Sequence, residues 1–368
     1  MKAVTLRDTL SAALGLVERA SGSGAQLPAL RNVLIETEGD QLILTATNLE
    51  LAVRATVAAK VIDHGKVSVP TSLLASLAGN LAGERVTLEA QGAGLSITTD
   101  NYDGTLAGAS VEDFPSIPAR SEDAVVVSIP GALFRESLSR VSFATQGAAD
   151  FSPELSAVLM SSEAGALRFV ATDSFRLAEA TVDGAVLPET PIRALLPAKV
   201  ASELARVIQD DEDVTCYLET HQATFETPRL QLTTRLVAAQ FPDYEQIIPG
   251  DFLSEVTVDR DALASALKLA SVFAAKGSEV AFSPSGTGEG ASLTLSAGSD
   301  AVGSHTASVP AHVSVEFPSV TFNWRQLAEG LRAIPTERVT LGINADRPAL
   351  LRGSGESGYR YVLAPLVS

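Results

Sequence analysis

Along this chain, apolar positions fall at two alternating periods, and the order of periods is the same three times over. Leu10, Ala13, Leu14 and Val17 follow the spacing of one buried helical stripe, as do Phe134, Leu138 and Val141, and then Leu263, Leu267, Ala270 and Ala274. They predict helices over residues 7–20, 131–144 and 260–276. A second helix follows in each stretch, over residues 71–81, 198–209 and 324–333. Pro70 and Pro197 stand before two of them, and Asn323 is placed to cap the third. Between the helices lie alternating or wholly apolar runs, at residues 31–35, 41–46, 86–90, 125–129, 167–171 and 359–363. They read as strands, divided by turns such as Glu38-Gly39-Asp40 and Glu163-Ala164-Gly165.

The wording repeats as well as the pattern. Leu44-Thr45-Ala46-Thr47-Asn48 recurs as Phe169-Val170-Ala171-Thr172-Asp173 and, more worn, as Leu295-Ser296-Ala297-Gly298-Ser299. Ala46, Ala171 and Ala297 are thus 125 and 126 residues apart. Val86-Thr87-Leu88, Val214-Thr215-Cys216 and Val339-Thr340-Leu341 each open a strand after a helix, at nearly the same step. Solenoid repeats run roughly 20–50 residues, so a period of this length is a whole domain. The chain reads as three copies of one α+β domain, each with two helices packed on antiparallel sheets, over residues 1–120, 121–250 and 251–368. Proline stiffens the joins, Phe114-Pro115-Ser116-Ile117-Pro118 and Phe241-Pro242-Asp243-Tyr244 with Pro249-Gly250 beyond.

The 368 residues are 46% apolar, enough to give each copy a core. No apolar run reaches the roughly 18–20 residues of a membrane span. The stretch at 11–17 is short and ends at Glu18-Arg19, which is no secretory pattern. A single cysteine, Cys216, leaves no disulfide framework and fits a reducing cytoplasm.

Charge changes the picture more. The net charge is −17. The predicted helices and their caps hold Arg7, Arg19, Arg135, Arg140, Lys199, Arg206, Arg260, Lys268, Lys276, Arg325 and Arg332, eleven of the 27 basic residues. They hold only seven of the 44 acidic ones, so they carry +4 and the remainder −21. Lys199 and Arg206 share one helix face, as do Arg325 and Arg332. Taken singly, each helix is an ordinary solvated face. Pooled, they form a basic wall in an acidic shell, suited to phosphates without sequence preference.

Catalytic chemistry is scarce. His64, His221, His305 and His312 are scattered, and no zinc spacing, Walker loop, nucleophile elbow or dinucleotide fingerprint occurs. Gly286-Thr287-Gly288-Glu289-Gly290 reads as a loop between strands. The sequence argues against an enzyme and calls for no metal or cofactor. Two readings remain: a protein that holds duplex DNA through its basic helices, and a monomeric β-rich scaffold that binds peptides or glycans.

Residues 27–34, 44–51, 170–177, 240–244 and 361–366, in their order, spacing and threefold context, resemble the bacterial sliding clamps, the beta subunits of replicative DNA polymerase. The resemblance covers the whole chain. It implies a head-to-tail homodimer whose six domains close a ring, with sheets outside and helices lining a hole that duplex DNA threads. It implies a processivity factor without chemistry of its own. Replicative polymerase, clamp loader and repair proteins would dock short linear motifs into a groove. Carried over by position, that groove is Leu155, Thr172, Ser174, Phe175, Arg176, Leu177, Pro242, Gln246, Ile247, Val362, Ala364, Pro365 and Leu366.

The chain departs from the family pattern at several of these positions. Ser174-Phe175 stands where Gly-His is frequent, Gln246 where a basic residue is common, and Ala364 and Leu366 where methionines are common. For the dimer edge the resemblance implies pairing of a strand at 98–107 with one near 301–309 of the second copy. Leu106, Val272 and Phe273 would make apolar contacts there, with Gly104 at a position that is often aromatic. The loop near Gly24 lacks the arginine that can touch DNA.

Overall fold

The computed structural model describes residues 1–22, 27–145, 152–163, 165–274, 278–299 and 303–366. Six α-helices lie among them: α1 Arg7–Val17, α2 Thr71–Asn80, α3 Gly131–Val141, α4 Ala198–Val207, α5 Arg260–Phe273 and α6 Trp324–Arg332. The stripes read from the sequence face inward. Leu10, Leu14, Val17, Phe134, Leu138, Val141, Leu263 and Ala270 are fully buried, and Leu267 nearly so.

The predicted ends of the first helices need correction. α1 and α3 stop early, and their last turns tighten into 3-10 form at Glu18–Ala20 and Ser142–Thr145. α5 ends at Phe273 because Ala274 turns to extended backbone, and Lys276 lies outside the described residues. The cap at Asn323 is present: its Oδ1 accepts the Arg325 and Gln326 amides at 3.0 and 3.5 Å. Pro70 and Pro197 each end a strand immediately before a helix.

The chain folds into two compact units, residues 1–131 with 207–236, and residues 132–206 with 237–368. The division runs through the middle repeat, and strand pairing explains it. In the first unit the 13-residue strand Leu51–Asp63 pairs with Leu230–Arg235, from Leu51 opposite Thr234 to Ala55 opposite Leu230. In the second unit Arg176–Val182 pairs with Tyr359–Leu363, from Arg176 opposite Leu363 to Ala180 opposite Tyr359. Each junction joins strands of two successive repeats through five residue pairs, so each sheet runs on across a repeat boundary.

The strand expected over 98–107 is instead the end of a hairpin. Gly94–Thr99 turns at Asp100-Asn101 into Tyr102–Leu106, with Thr99 opposite Tyr102. Among the described residues Tyr102–Leu106 pairs with Gly94–Thr99 alone and is an edge strand. In the second unit, Gly303–Pro310 pairs, among the described residues, only with Ser292–Ser299. Ala301 and Val302 lie outside the described residues.

Candidate peptide-binding and nucleic-acid faces

The turn after the strand Ala166–Thr172 is built by its own side chains. Thr172 Oγ1 donates to the Arg176 carbonyl at 2.7 Å and accepts the Ser174 amide at 3.2 Å. Asp173 Oδ1 accepts the amides of Phe175 and Arg176, each at 3.0 Å. Ser174 sits in the left-handed region, at φ 75°. The result leaves Phe175 65% exposed while the next two side chains are covered. Arg176 donates from Nε to Asp173 Oδ2 at 2.9 Å, from Nη2 to the Phe143 carbonyl at 3.0 Å and from Nη1 to Glu329.

The first repeat makes the same turn. Thr47 Oγ1 donates to the Leu51 carbonyl at 3.0 Å, and Asn48 Oδ1 accepts the amides of Glu50 and Leu51. Leu49 takes the left-handed position, also at φ 75°. The recurring Thr-Asn and Thr-Asp pairs are therefore turn builders. In the third repeat, Ser292–Ser299 runs on opposite Gly303–Pro310 as a longer hairpin.

Leu177 and Val362 are opposite one another across the sheet and belong to a buried apolar cluster with Leu159, Val170, Leu195, Phe241, Tyr244 and Leu350. The C-terminal segment is tied down beside it. The Ala364 amide donates to the Phe175 carbonyl at 2.9 Å and the Leu366 amide to the Thr321 carbonyl at 2.8 Å. The proline join is not a solvated linker. Phe241 and Tyr244 are buried edge-to-face, 6.1 Å apart. Burial and the Glu179 carboxylate push the Tyr244 phenol above its ordinary range. Arg168 holds Glu245 at 2.8 Å, which fixes the 3-10 turn Glu245–Ile247. Ile247 remains 45% exposed there, Gln246 donates to Asp243, and Leu155 and Pro242 are half-buried.

Of the thirteen residues predicted for the groove, Thr172, Arg176, Leu177 and Val362 are buried. Ala364, Pro365 and Leu366 are half-buried, Ser174 is exposed, and Phe175 and Ile247 offer the largest exposed apolar area. Residues 367–368 lie outside the described residues. Sequence reading missed Phe143 and Glu329, which hold Arg176 from 33 and 153 residues away and carry no local signal.

The basic set divides. Arg19, Arg135, Lys199, Arg206, Lys268, Arg325 and Arg332 are exposed. Three others are engaged by the protein, which corrects their reading as outward-facing cations. Arg140 is 12% exposed, stacks on Tyr359 at 4.2 Å and bridges Glu136 and Glu356. Arg7 and Arg260 bind the aspartate that follows each and a carbonyl at the end of the paired helix. Among the described residues no group of His, Cys, Asp or Glu is arranged to hold a metal ion, and no helix is long and apolar enough to cross a membrane.

The models of the DNA polymerase III beta subunit match end to end: the N-terminal domain over residues 1–118, the central domain over 128–243 and the C-terminal domain over 245–367. A beta sliding clamp of Synechococcus elongatus is 32% identical over 375 residues, covering 100% of this chain and 99% of that protein. The chain belongs to the beta sliding clamp family. A crystal structure of a sliding clamp from Pseudomonas aeruginosa bound to griselimycin has a TM-score of 0.94 at 26% identity, over 100% of both chains. A Bacillus subtilis clamp shares the fold, with a TM-score of 0.93 at 21% identity, over 100% of this chain and 99% of that one. As a sliding clamp the chain is an α+β protein of three clamp domains and a non-catalytic processivity subunit of DNA polymerase, not a peptide- or glycan-binding scaffold of another kind.

Proposed function

We propose that two copies of this chain close head to tail into a ring around duplex DNA. The observation that carries this reading is a joint made twice within the chain. Leu51–Asp63 takes Leu230–Arg235 alongside it, and Arg176–Val182 takes Tyr359–Leu363 in the same register. The corresponding half-joints of the third and first repeats are Gly303–Val313 and Tyr102–Leu106, and each has an edge without a described partner. Antiparallel pairing of those edges between copies repeats the joint, and identical rotations close a circle. Val272 is 73% exposed, and Phe273 stacks on His305 of the open strand at 5.3 Å, which supplies apolar contact. Leu106 and Gly104 lie on the opposing edge. The Tyr102 ring covers Gly104 so closely that a Cβ there would fall 2.3 Å from its hydroxyl.

The exposed helix cations, from Arg19 and Arg135 to Arg325 and Arg332, face phosphates in this reading and give a sequence-independent, salt-sensitive grip. Polymerase, clamp loader and repair proteins engage the Phe175–Ile247–Leu366 face through short linear peptides with Leu and Phe anchors. The site of action is the cytoplasm. Light scattering after size exclusion should give twice the chain mass at micromolar concentration. Loaded protein should stay on nicked circular DNA and be lost when the circle is cut. Retention on the linear form overturns the reading.

A further inference from the structure

One carboxylate stands between the two surfaces. Glu329 on α6 accepts a hydrogen bond from Arg176, the arginine of the Phe175 turn. Arg332 lies three residues further along the same helix, within reach of Glu329 as a side-chain neighbour. Glu329, Arg332 and Phe143 line one cavity of about 420 Å³.

The internal repeat provides the comparison. Lys199, Glu203 and Arg206 on α4 have the spacing of Arg325, Glu329 and Arg332 on α6. On α4 the glutamate accepts from Arg206 at 3.0 Å, along its own helix. The residue that matches Arg176 in the first repeat's turn is Leu51, which carries no charge. On α6 the glutamate is instead turned to Arg176, and Arg332 is exposed without an ion pair to another described residue.

We propose that Arg176 and Arg332 compete for Glu329, and that this competition couples the peptide face to the DNA face. In one state Glu329 holds Arg176, the Phe175 turn is set and Arg332 is available to a phosphate. In the other Glu329 takes Arg332, as its counterpart does on α4, and the turn loses one of its anchors. Peptide and duplex both favour the first state, so each strengthens the other by the same factor. The proposal rests on the peptide and duplex reading above and adds the link between them.

The test uses the full-length dimer, a fluorescein-labelled 20-base-pair duplex at low salt and an unlabelled decapeptide with Leu and Phe anchors. Saturating peptide should tighten duplex binding about threefold in the native protein, the size that a partly exposed ion pair supports. E329Q should remove that gain. R332A, an exposed change that leaves the fold alone, should lower duplex affinity and also remove the gain. R325A should lower duplex affinity and keep it. An undiminished gain in E329Q and R332A, or none in the native protein although both ligands bind, overturns the coupling alone. Absence of peptide binding by calorimetry overturns the groove reading and the coupling with it.

Discussion

Arg7 and Arg260 stand 253 residues apart and make the same contacts. Each donates from Nε to the carboxylate of the next residue, Asp8 or Asp261, at 2.9 and 3.0 Å. Each donates from Nη1 to a carbonyl just beyond the partner helix, Leu81 or Ile334, at 3.1 and 2.9 Å. Their amides bind the carbonyls of Glu84 and Glu337. In the middle repeat Gly131 takes the helix start, and Arg229 reaches the carbonyl of Val207, the last residue of α4, from another strand. These arginines fasten one helix start to the end of its neighbour, satisfying carbonyls that the helix leaves open.

Arg7→Ala and Arg260→Ala should therefore each lower stability by about 1–2 kcal/mol, the worth of charged hydrogen bonds to a helix end. Urea unfolding reads this directly. Duplex affinity at low salt should change little in either variant, which separates a fastening role from a phosphate contact.

Lys199 and Arg206 make the opposite case. Both are exposed on one face of α4, and Arg206 is 65% exposed despite its bond to Glu203. Reversing both to glutamate should leave unfolding nearly unchanged and lower the log–log salt slope of duplex binding by about 2, one for each lost phosphate contact. Titrations at several salt concentrations check the slope, and peptide affinity should stay as it was.

Phe175 adds little to the core, because 65% of its surface is in water, and the proposed peptide face gives it a part in recognition instead. Phe175→Ala should shift stability by less than about 0.5 kcal/mol. It should weaken an anchor peptide by about 2 kcal/mol, roughly thirtyfold, as loss of an interface aromatic does. Calorimetry of the variant measures both the affinity and the unfolding.

Cys216 lies fully buried in the strand Asp213–Leu218, and burial alone pushes its thiol far above its ordinary range. The neutral thiol is a poor nucleophile. A thiol reagent at pH 8 should label the native protein only as fast as this strand opens, and should label the urea-unfolded chain at once. Rapid native labelling would show that the strand opens readily.

Periodic elements are legible in the sequence, and long-range ones are out of its reach. The strand at 359–363 is readable to the residue, and Asn323 as a cap, because strand alternation and capping are local signals. Asp100-Asn101 is a readable turn signal inside the run at 98–107, where the resemblance implies a single strand. The bonds of Arg140 to Glu356 and of Arg176 to Glu329 cross 216 and 153 residues, and no spacing rule anticipates them. The basic wall drawn from composition accordingly includes three cations that the fold keeps for itself.

The twin turns at Thr47–Leu51 and Thr172–Arg176 share every backbone bond that shapes them, yet one displays Glu50 and the other an aromatic ring. A copied corner needs only one version for mechanical duty. The backbone corner can therefore stay the same in both copies while the side chain it displays changes from a carboxylate to a ring.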